Sequence, residues 1–322
     1  MEHDEAYLRE LLAYFDELLP SNLYDAHTHV TRAYAKRTGY IGEPFDQYLD
    51  LCEEAVGRRP CGGLVMTQPS RRHTKDTLAE ANAYNLHIAR ERGFAAGYIV
   101  TPKDTPEEIA AVLDAHPEIG ALKPYLTYTT AENSFEADIT SFAPEWMFAL
   151  ANERELPVLL HLSHYGDMLN DKANIRELRY LSRAYPRVPI VLAHCAMGHH
   201  VRKLRLGLEA IADLESIYFD CSGASETMAV YYCLRTFGPS RMMWGSDHDF
   251  GAEYGRICSY GSNFLAAHPG YLLTLPPDYR YRPLRNSTEC TLALLEALEL
   301  LSLGEGDRRA ILSENGKALY SS

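Results

Sequence analysis

Eight short apolar runs punctuate this chain, and their regular spacing constrains the fold more than any other feature. They are Leu23–Val30, Gly63–Thr67, Ala95–Val100, Gly120–Leu126, Pro157–Leu162, Pro189–His194, Ser216–Cys221 and Arg241–Ser246. Most are rich in β-branched or aromatic residues and bounded by Gly, Pro or polar residues, the pattern of buried strands. Between them, Phe45–Val56, Thr77–Arg92, Pro106–Ala115, Pro144–Arg154, Asn174–Tyr185, His200–Leu214 and Glu226–Phe237 space apolar residues three and four apart, as amphipathic helices do. Thr105-Pro106-Glu107-Glu108 supplies an N-cap, a Pro at the first helical position and early acids. Strand alternating with helix calls for a parallel sheet with right-handed crossovers, and eight such units make an α/β fold of the (β/α)8 TIM-barrel type. A doubly wound sheet is the rival. It usually places a Gly-rich phosphate loop after its first strand, where this chain reads Ala26-His27-Thr28-His29.

The rest of the chain fits around that barrel. Residues 1–20 read as an extra N-terminal helix able to cap the barrel floor. Residues 248–286, rich in Tyr, Gly and Pro, read as a long loop, and Thr288–Leu301 and Asp307–Tyr320 as closing helices. One domain over 1–322, with a barrel core at about 23–247, is the expected organisation.

The net charge of −13 disfavours nucleic acid and anionic membranes as partners. No apolar run is long enough to span a bilayer. The seven Cys include no C-x-x-C pair, which argues against a disulfide framework or a zinc ribbon and for a reducing compartment. With an acidic start in place of a signal peptide, a cytoplasmic protein is expected. The chain has no G-x-x-x-x-G-K-[ST], G-x-G-x-x-G, H-E-x-x-H or G-x-S-x-G, so nucleotide cofactors, zincin proteolysis and a serine nucleophile lose support.

A barrel places its chemistry at the C-terminal ends of its strands. His27 and His29 close the first run, Lys123 lies near the end of the fourth, His161 closes the fifth, His194 closes the sixth and Asp247 follows the eighth. Alternation sets His27 and His29 on one face. Imidazoles suit borderline divalent metals, which acidify a bound water, and a nearby carboxylate can ligate the metal and take that water's proton. A further His can polarise the substrate or protonate a leaving group.

In this order the motifs resemble the amidohydrolase superfamily, and within it the amidohydrolase-2 branch that includes the aminocarboxymuconate-semialdehyde decarboxylase-like enzymes. The resemblance runs from Tyr24-Asp25-Ala26-His27-Thr28-His29 to the ending Ile311-Leu312-Ser313-Glu314-Asn315-Gly316-Lys317-Ala318-Leu319-Tyr320. It implies one divalent metal, zinc first and manganese second, on His27, His29, His161 and Asp247. Asp247 then serves as base and His194 as acid or polariser. It also implies a small-molecule substrate and a homodimer. In binuclear members of the superfamily a carbamylated Lys bridges two metals, an alternative role for Lys123. The chain departs from the branch pattern after His194 (Cys195-Ala196-Met197-Gly198) and after Asp247 (His248-Asp249-Phe250).

The expected activity is hydrolysis of a small carboxylic ester, lactone or amide. The alternatives are non-oxidative decarboxylation of an aromatic or enoic acid, and a non-catalytic ligand-binding barrel. Lys123, Tyr125, His164, Arg32, Arg71 and His248 are the candidates for substrate contact. Arg72, Tyr128 and Tyr165 are weaker ones; His199 and His200 read as a helix start, and Cys195 as an unactivated thiol.

Overall fold

The computed structural model describes residues 2–268 and 284–321. Eight parallel strands follow one another around a single sheet in chain order: β1 (Tyr24–His29), β2 (Gly62–Met66), β3 (Ala95–Val100), β4 (Ile119–Pro124), β5 (Val158–Leu160), β6 (Ile190–Leu192), β7 (Ile217–Asp220) and β8 (Met242–Met243). Backbone hydrogen bonds bring the last strand back to the first. Ala26 N–H donates to Trp244 O (2.9 Å), and Asp247 N–H donates to His27 O (2.8 Å). The expected (β/α)8 barrel is therefore the fold.

The intervening helices are α3 (Pro44–Val56), α4 (Lys75–Arg92), α5 (Pro106–Ala115), α6 (Glu145–Arg154), α7 (Lys172–Ala184), α8 (Val201–Ile211) and α9 (Thr227–Phe237). They follow α1 (Glu2–Leu18) and a short α2 (Arg32–Thr38), and precede α10 (Asn286–Leu300), α11 (Glu305–Arg309) and α12 (Asn315–Tyr320). No described helix is long and apolar enough to cross a membrane. Capping explains several boundaries. Thr105 and Glu108 form a reciprocal capping box at the start of α5, and the Asp171 side chain accepts from Ala173 N–H (2.7 Å) and Asn174 N–H (3.3 Å) at the start of α7.

Three expectations change. The barrel floor is closed by the C-terminal α12 rather than by the N-terminal helix. Tyr320 packs with Tyr24, Ala26, Ala95 and Ala121 inside the barrel, and a Cβ on Gly120 would lie 2.4 Å from Tyr320 O, so only glycine allows that approach. Helix α1 instead lays Leu11 and Phe15, with Leu19 just beyond its end, in one cluster with Ala55 and Val56 of α3, outside the strands. The Asp307–Tyr320 helix is interrupted by a wide turn at Ala310–Glu314. Within the expected loop, β9 (Arg256–Tyr260) and β10 (Asn263–Ala267) form an antiparallel hairpin, and residues 269–283 of that loop lie outside the described residues.

Trp244 locks the closure. It is buried, its backbone joins β1 to the C-terminal segment, and its indole N–H donates to Thr291 Oγ1 on α10 (3.0 Å). Thr291→Val should cost roughly 1–3 kcal/mol through the orphaned indole, and Trp244→Ala roughly 3–5 kcal/mol. Urea unfolding of the two variants checks both values, and an unchanged midpoint in either would contradict the assignment.

Candidate metal centre

Strand β1 is buried along its whole length, and a bulge between Asp25 and Thr28 breaks its alternation, so that Tyr24 and Ala26 face the barrel interior below while His27 and His29 both turn into the mouth above. The two imidazoles meet with Nε2 3.3 Å from Nε2. Asp247, just beyond β8, places Oδ1 3.7 Å from His27 Nε2 and 3.6 Å from His29 Nε2. Three donor atoms thus form a small triangle. Ligands about 2.0–2.1 Å from a tetrahedral zinc stand about 3.4 Å apart, so the triangle fits one divalent ion without rebuilding.

The far sides of the rings determine which nitrogen is free. His27 Nδ1 is 3.0 Å from Asp220 Oδ2, and His29 Nδ1 is 2.9 Å from Thr67 O. Only a protonated Nδ1 can donate to these acceptors, which leaves the lone pair on Nε2, facing Asp247. His194 follows the same rule, with Nδ1 2.9 Å from Ser222 O, and so does His161, with Nδ1 3.2 Å from Leu162 O. Burial holds all four imidazoles well below their ordinary pKa, and so neutral.

Charge supports the same fit. Asp25, Asp220, Asp247 and Lys123 are all buried around these rings. Burial lowers Lys123 to about 8, against the pull of Asp220 and Asp247, so it stays largely charged at neutral pH. Burial, then the charge of Asp220, raises the Asp247 carboxyl well above its usual range. Burial raises Asp25 to about 6, although Tyr48 OH and the N–H groups of His27 and Ser246 donate to it. The buried carboxyls of Asp220 and Asp247 outnumber the one ammonium, and a divalent cation beside them would offset the cost of burying negative charge there.

His194 is held by unusual backbone. His194, Cys195, Ala196 and Met197 all have φ between 51 and 59°, a left-handed turn costing each L-residue roughly 1 kcal/mol or more. The turn is tied down by Gly198 N–H to His194 O (2.9 Å), His199 N–H to Met197 O (2.7 Å) and His194 N–H to Asp220 Oδ1 (3.2 Å). Its effect is to send His194 and His199 into one cavity.

That cavity, about 240 Å³, contains His27, His29, His161, His194 and Asp247 in its lining. Tyr125, Tyr165, Met197, Phe250, Ile257 and Phe264 form its apolar walls, the last two supplied by the β9–β10 hairpin. His161 stands with its ring 5.2 Å from His194, outside the three-atom triangle. Lys123 Nζ is buried without a hydrogen-bond partner, 5.7 Å from the Tyr125 ring.

Four candidates lie elsewhere. His248 is wedged between the rings of Tyr34 (4.9 Å) and Tyr48 (5.5 Å), because its backbone carbonyl is committed to His29 N–H. Arg32 is exposed and lies over the Tyr84 ring. His164 faces Glu136, Asp138 and Asp171 at 3.4–3.8 Å. Arg71 points away to Ser134 Oγ (2.5 Å) and a different cavity. Among the weaker candidates, His199 and Tyr165 line the metal cavity, whereas His200 starts α8 and contacts Gly261 O. Cys195 is a buried free thiol, and its hydrogen bond with the Cys233 thiol raises its pKa, with burial adding to the effect. Asp25, Asp220 and Ser222 escaped the sequence reading. Asp220 closes β7, so the placement of chemistry at C-terminal strand ends that marks the histidines marks it as well.

Fold and site together define a metal-dependent barrel enzyme. The family model described as Amidohydrolase matches residues 24–321, and the chain belongs to that family. No curated protein matches it. Among solved structures it is similar to 4-oxalomesaconate hydratase from Rhodopseudomonas palustris, with a TM-score of 0.59, 15% identity and coverage of 92% of this chain and 95% of that one. It is also similar to a 2,6-dihydroxybenzoate decarboxylase complexed with 2,6-dihydroxybenzoate (TM-score 0.54, 13% identity, 94% and 100% covered). An amidohydrolase from Burkholderia multivorans with bound zinc gives a TM-score of 0.59 at 13% identity, covering 93% and 99%. At such identities these likenesses speak for the fold.

Asp220→Asn removes the charge that fixes the His27 tautomer. Zinc affinity, measured by competition with a chromophoric chelator, should fall roughly 10–100-fold; an unchanged affinity would remove Asp220 from the account.

Proposed function

We propose that this chain hydrolyses a small carboxylic ester, lactone or amide, using one divalent metal, zinc in the first instance, held by His27, His29 and Asp247 with His161 close by. The observation that carries the proposal is the triangle of Nε2, Nε2 and Oδ1, in which both imidazole Nδ1 atoms are already engaged on the far side. When bound, such an ion supplies Lewis acidity, polarising a carbonyl and acidifying water beside it.

The chain's own groups do the rest. Asp247 turns Oδ1 to the two histidines and Oδ2 toward His194, 3.8 Å from its Nδ1, so one carboxylate faces both the metal triangle and the proton carrier. Asp247 takes the proton of the attacking water. His194, neutral with its Nδ1 proton on Ser222 O, offers Nε2 as an acceptor first. The proton that Asp247 takes from the water is the one that reaches the leaving atom, with His194 Nε2 as its carrier, so the water's two hydrogens end one on the new acid and one on the leaving group. The walls of Phe250, Ile257, Phe264 and Met197 exclude water around the scissile group. Lys123, buried and unpartnered, balances the carboxylates from below.

Decarboxylation is the second reading, favoured by the flat aromatic walls of Tyr125, Tyr165 and Phe264. Among the described residues, however, no Arg or Lys lines the cavity to hold a carboxylate. Turnover of the zinc-loaded protein on lactones, esters, N-acyl compounds and aromatic acids, with CO₂ followed in parallel, decides between them. Acid release without CO₂ is expected; CO₂ release without hydrolysis would replace the proposal. On the substrate found, Asp247→Asn and His194→Asn should each lower kcat/KM by about 10²–10⁴ while leaving the circular dichroism unchanged. Near wild-type turnover in both would refute the roles.

A further inference from the structure

The geometry points to a second ligand site, separate from the metal centre, that binds a small anion with an apolar body. A cavity of about 530 Å³, roughly twice the volume of the metal cavity, opens between α4 and α5 on the outer side of β3. Its size falls within the range of small-molecule sites. It exists because α5 is lifted off the barrel: Ile109 is the only buried residue of that ten-residue helix, whereas α6, of equal length, buries four. The floor is largely apolar, formed by Leu78 and Ala79 of α4, Tyr98 of β3, and Ile109 and Val112 of α5, with the amide of Asn82 occupied by the Ile99 backbone (3.0 and 3.2 Å).

The rim is cationic in a chain of net charge −13. Arg71, Lys75 and Lys103 face Asp104 and Glu108. Lys75 is paired with Glu108 across the mouth at 2.7 Å, and the Asp104 carboxylate accepts from Thr101 N–H (2.7 Å) and its hydroxyl (3.0 Å). That leaves Lys103 without an ion pair among the described residues, and Arg71 with a single neutral partner, Ser134. The N-termini of α4 and α5 open at the same rim, adding partial positive charge. Apolar floor and cationic rim together select an aromatic or short acyl chain ending in a carboxylate, sulfonate or phosphate.

The site is walled off from the catalytic cavity. Tyr125, at one end of the turn at Leu126–Tyr128, lines the metal cavity, while Thr127 and Tyr128 line this one. The Tyr128 hydroxyl is fixed by Ser70 N–H (3.2 Å) and His73 Nδ1 (2.8 Å). Occupancy therefore should not depend on the metal ligands.

The probe is 8-anilinonaphthalene-1-sulfonate, titrated by fluorescence into the full-length protein. One saturable equivalent is expected. Val112→Trp, which fills the cavity, should abolish it. The exposed double variant Arg71→Glu/Lys103→Glu, which leaves the core untouched and so serves even if Val112→Trp misfolds, should weaken it about tenfold or more. The neutral analogue N-phenyl-1-naphthylamine should bind the wild type about tenfold more weakly. His27→Asn should bind the sulfonate like wild type, which separates this site from the metal centre. Absence of saturable binding, binding indifferent to the charge reversal, or loss of binding in His27→Asn would each overturn the proposal.

Discussion

The hydrogen bond from His27 Nδ1 to Asp220 is the constraint on which the rest of the centre depends. A histidine can present either nitrogen, and only the partner on the far side selects which. Here His27, His29, His161 and His194 each have Nδ1 committed to a carboxylate or a carbonyl, which leaves each Nε2 with its lone pair. Asp220 does most of this work. It accepts from the His27 ring, the His194 backbone N–H and Ser222, so it sets both the metal-facing histidine and the start of the left-handed turn that carries His194.

Such an arrangement is unfavourable in isolation. Carboxylates are buried close together, the imidazoles are kept neutral, and four consecutive residues occupy a backbone region that L-residues avoid. The barrel can hold it because the strands beneath are packed on both sides and the floor is sealed by Tyr320. A cation with two positive charges resolves the electrostatic part, so metal binding and the integrity of the strand ends should be strongly linked.

Much of this was legible in the sequence. Eight apolar runs at even spacing fixed the barrel because each run is short, buried and punctuated, and chain order is also spatial order in this fold. His27, His29, His161, His194 and Asp247 were legible because strand ends converge on one mouth. What escaped has physical reasons. His248 sits beside a site residue in sequence, but the left-handed backbone at Asp247 turns it away. The left-handed turn at His194–Met197 leaves no trace in propensity, since Ala and Met do not favour it, and so His199 read as a helix start. The β9–β10 hairpin contributes Ile257 and Phe264 from a stretch without clean period. Amphipathicity shows that the N-terminal helix packs, not where, and the floor is closed by α12 instead.

The most direct measurement is X-ray absorption at the zinc edge, with metal content, on the zinc-reconstituted full-length protein. The account predicts one tightly held zinc per chain, with nitrogen and oxygen ligands at about 2.0–2.1 Å and the multiple-scattering signature of at least two imidazoles. A chain that retains no stoichiometric metal, or a shell with sulfur at about 2.3 Å, would contradict it.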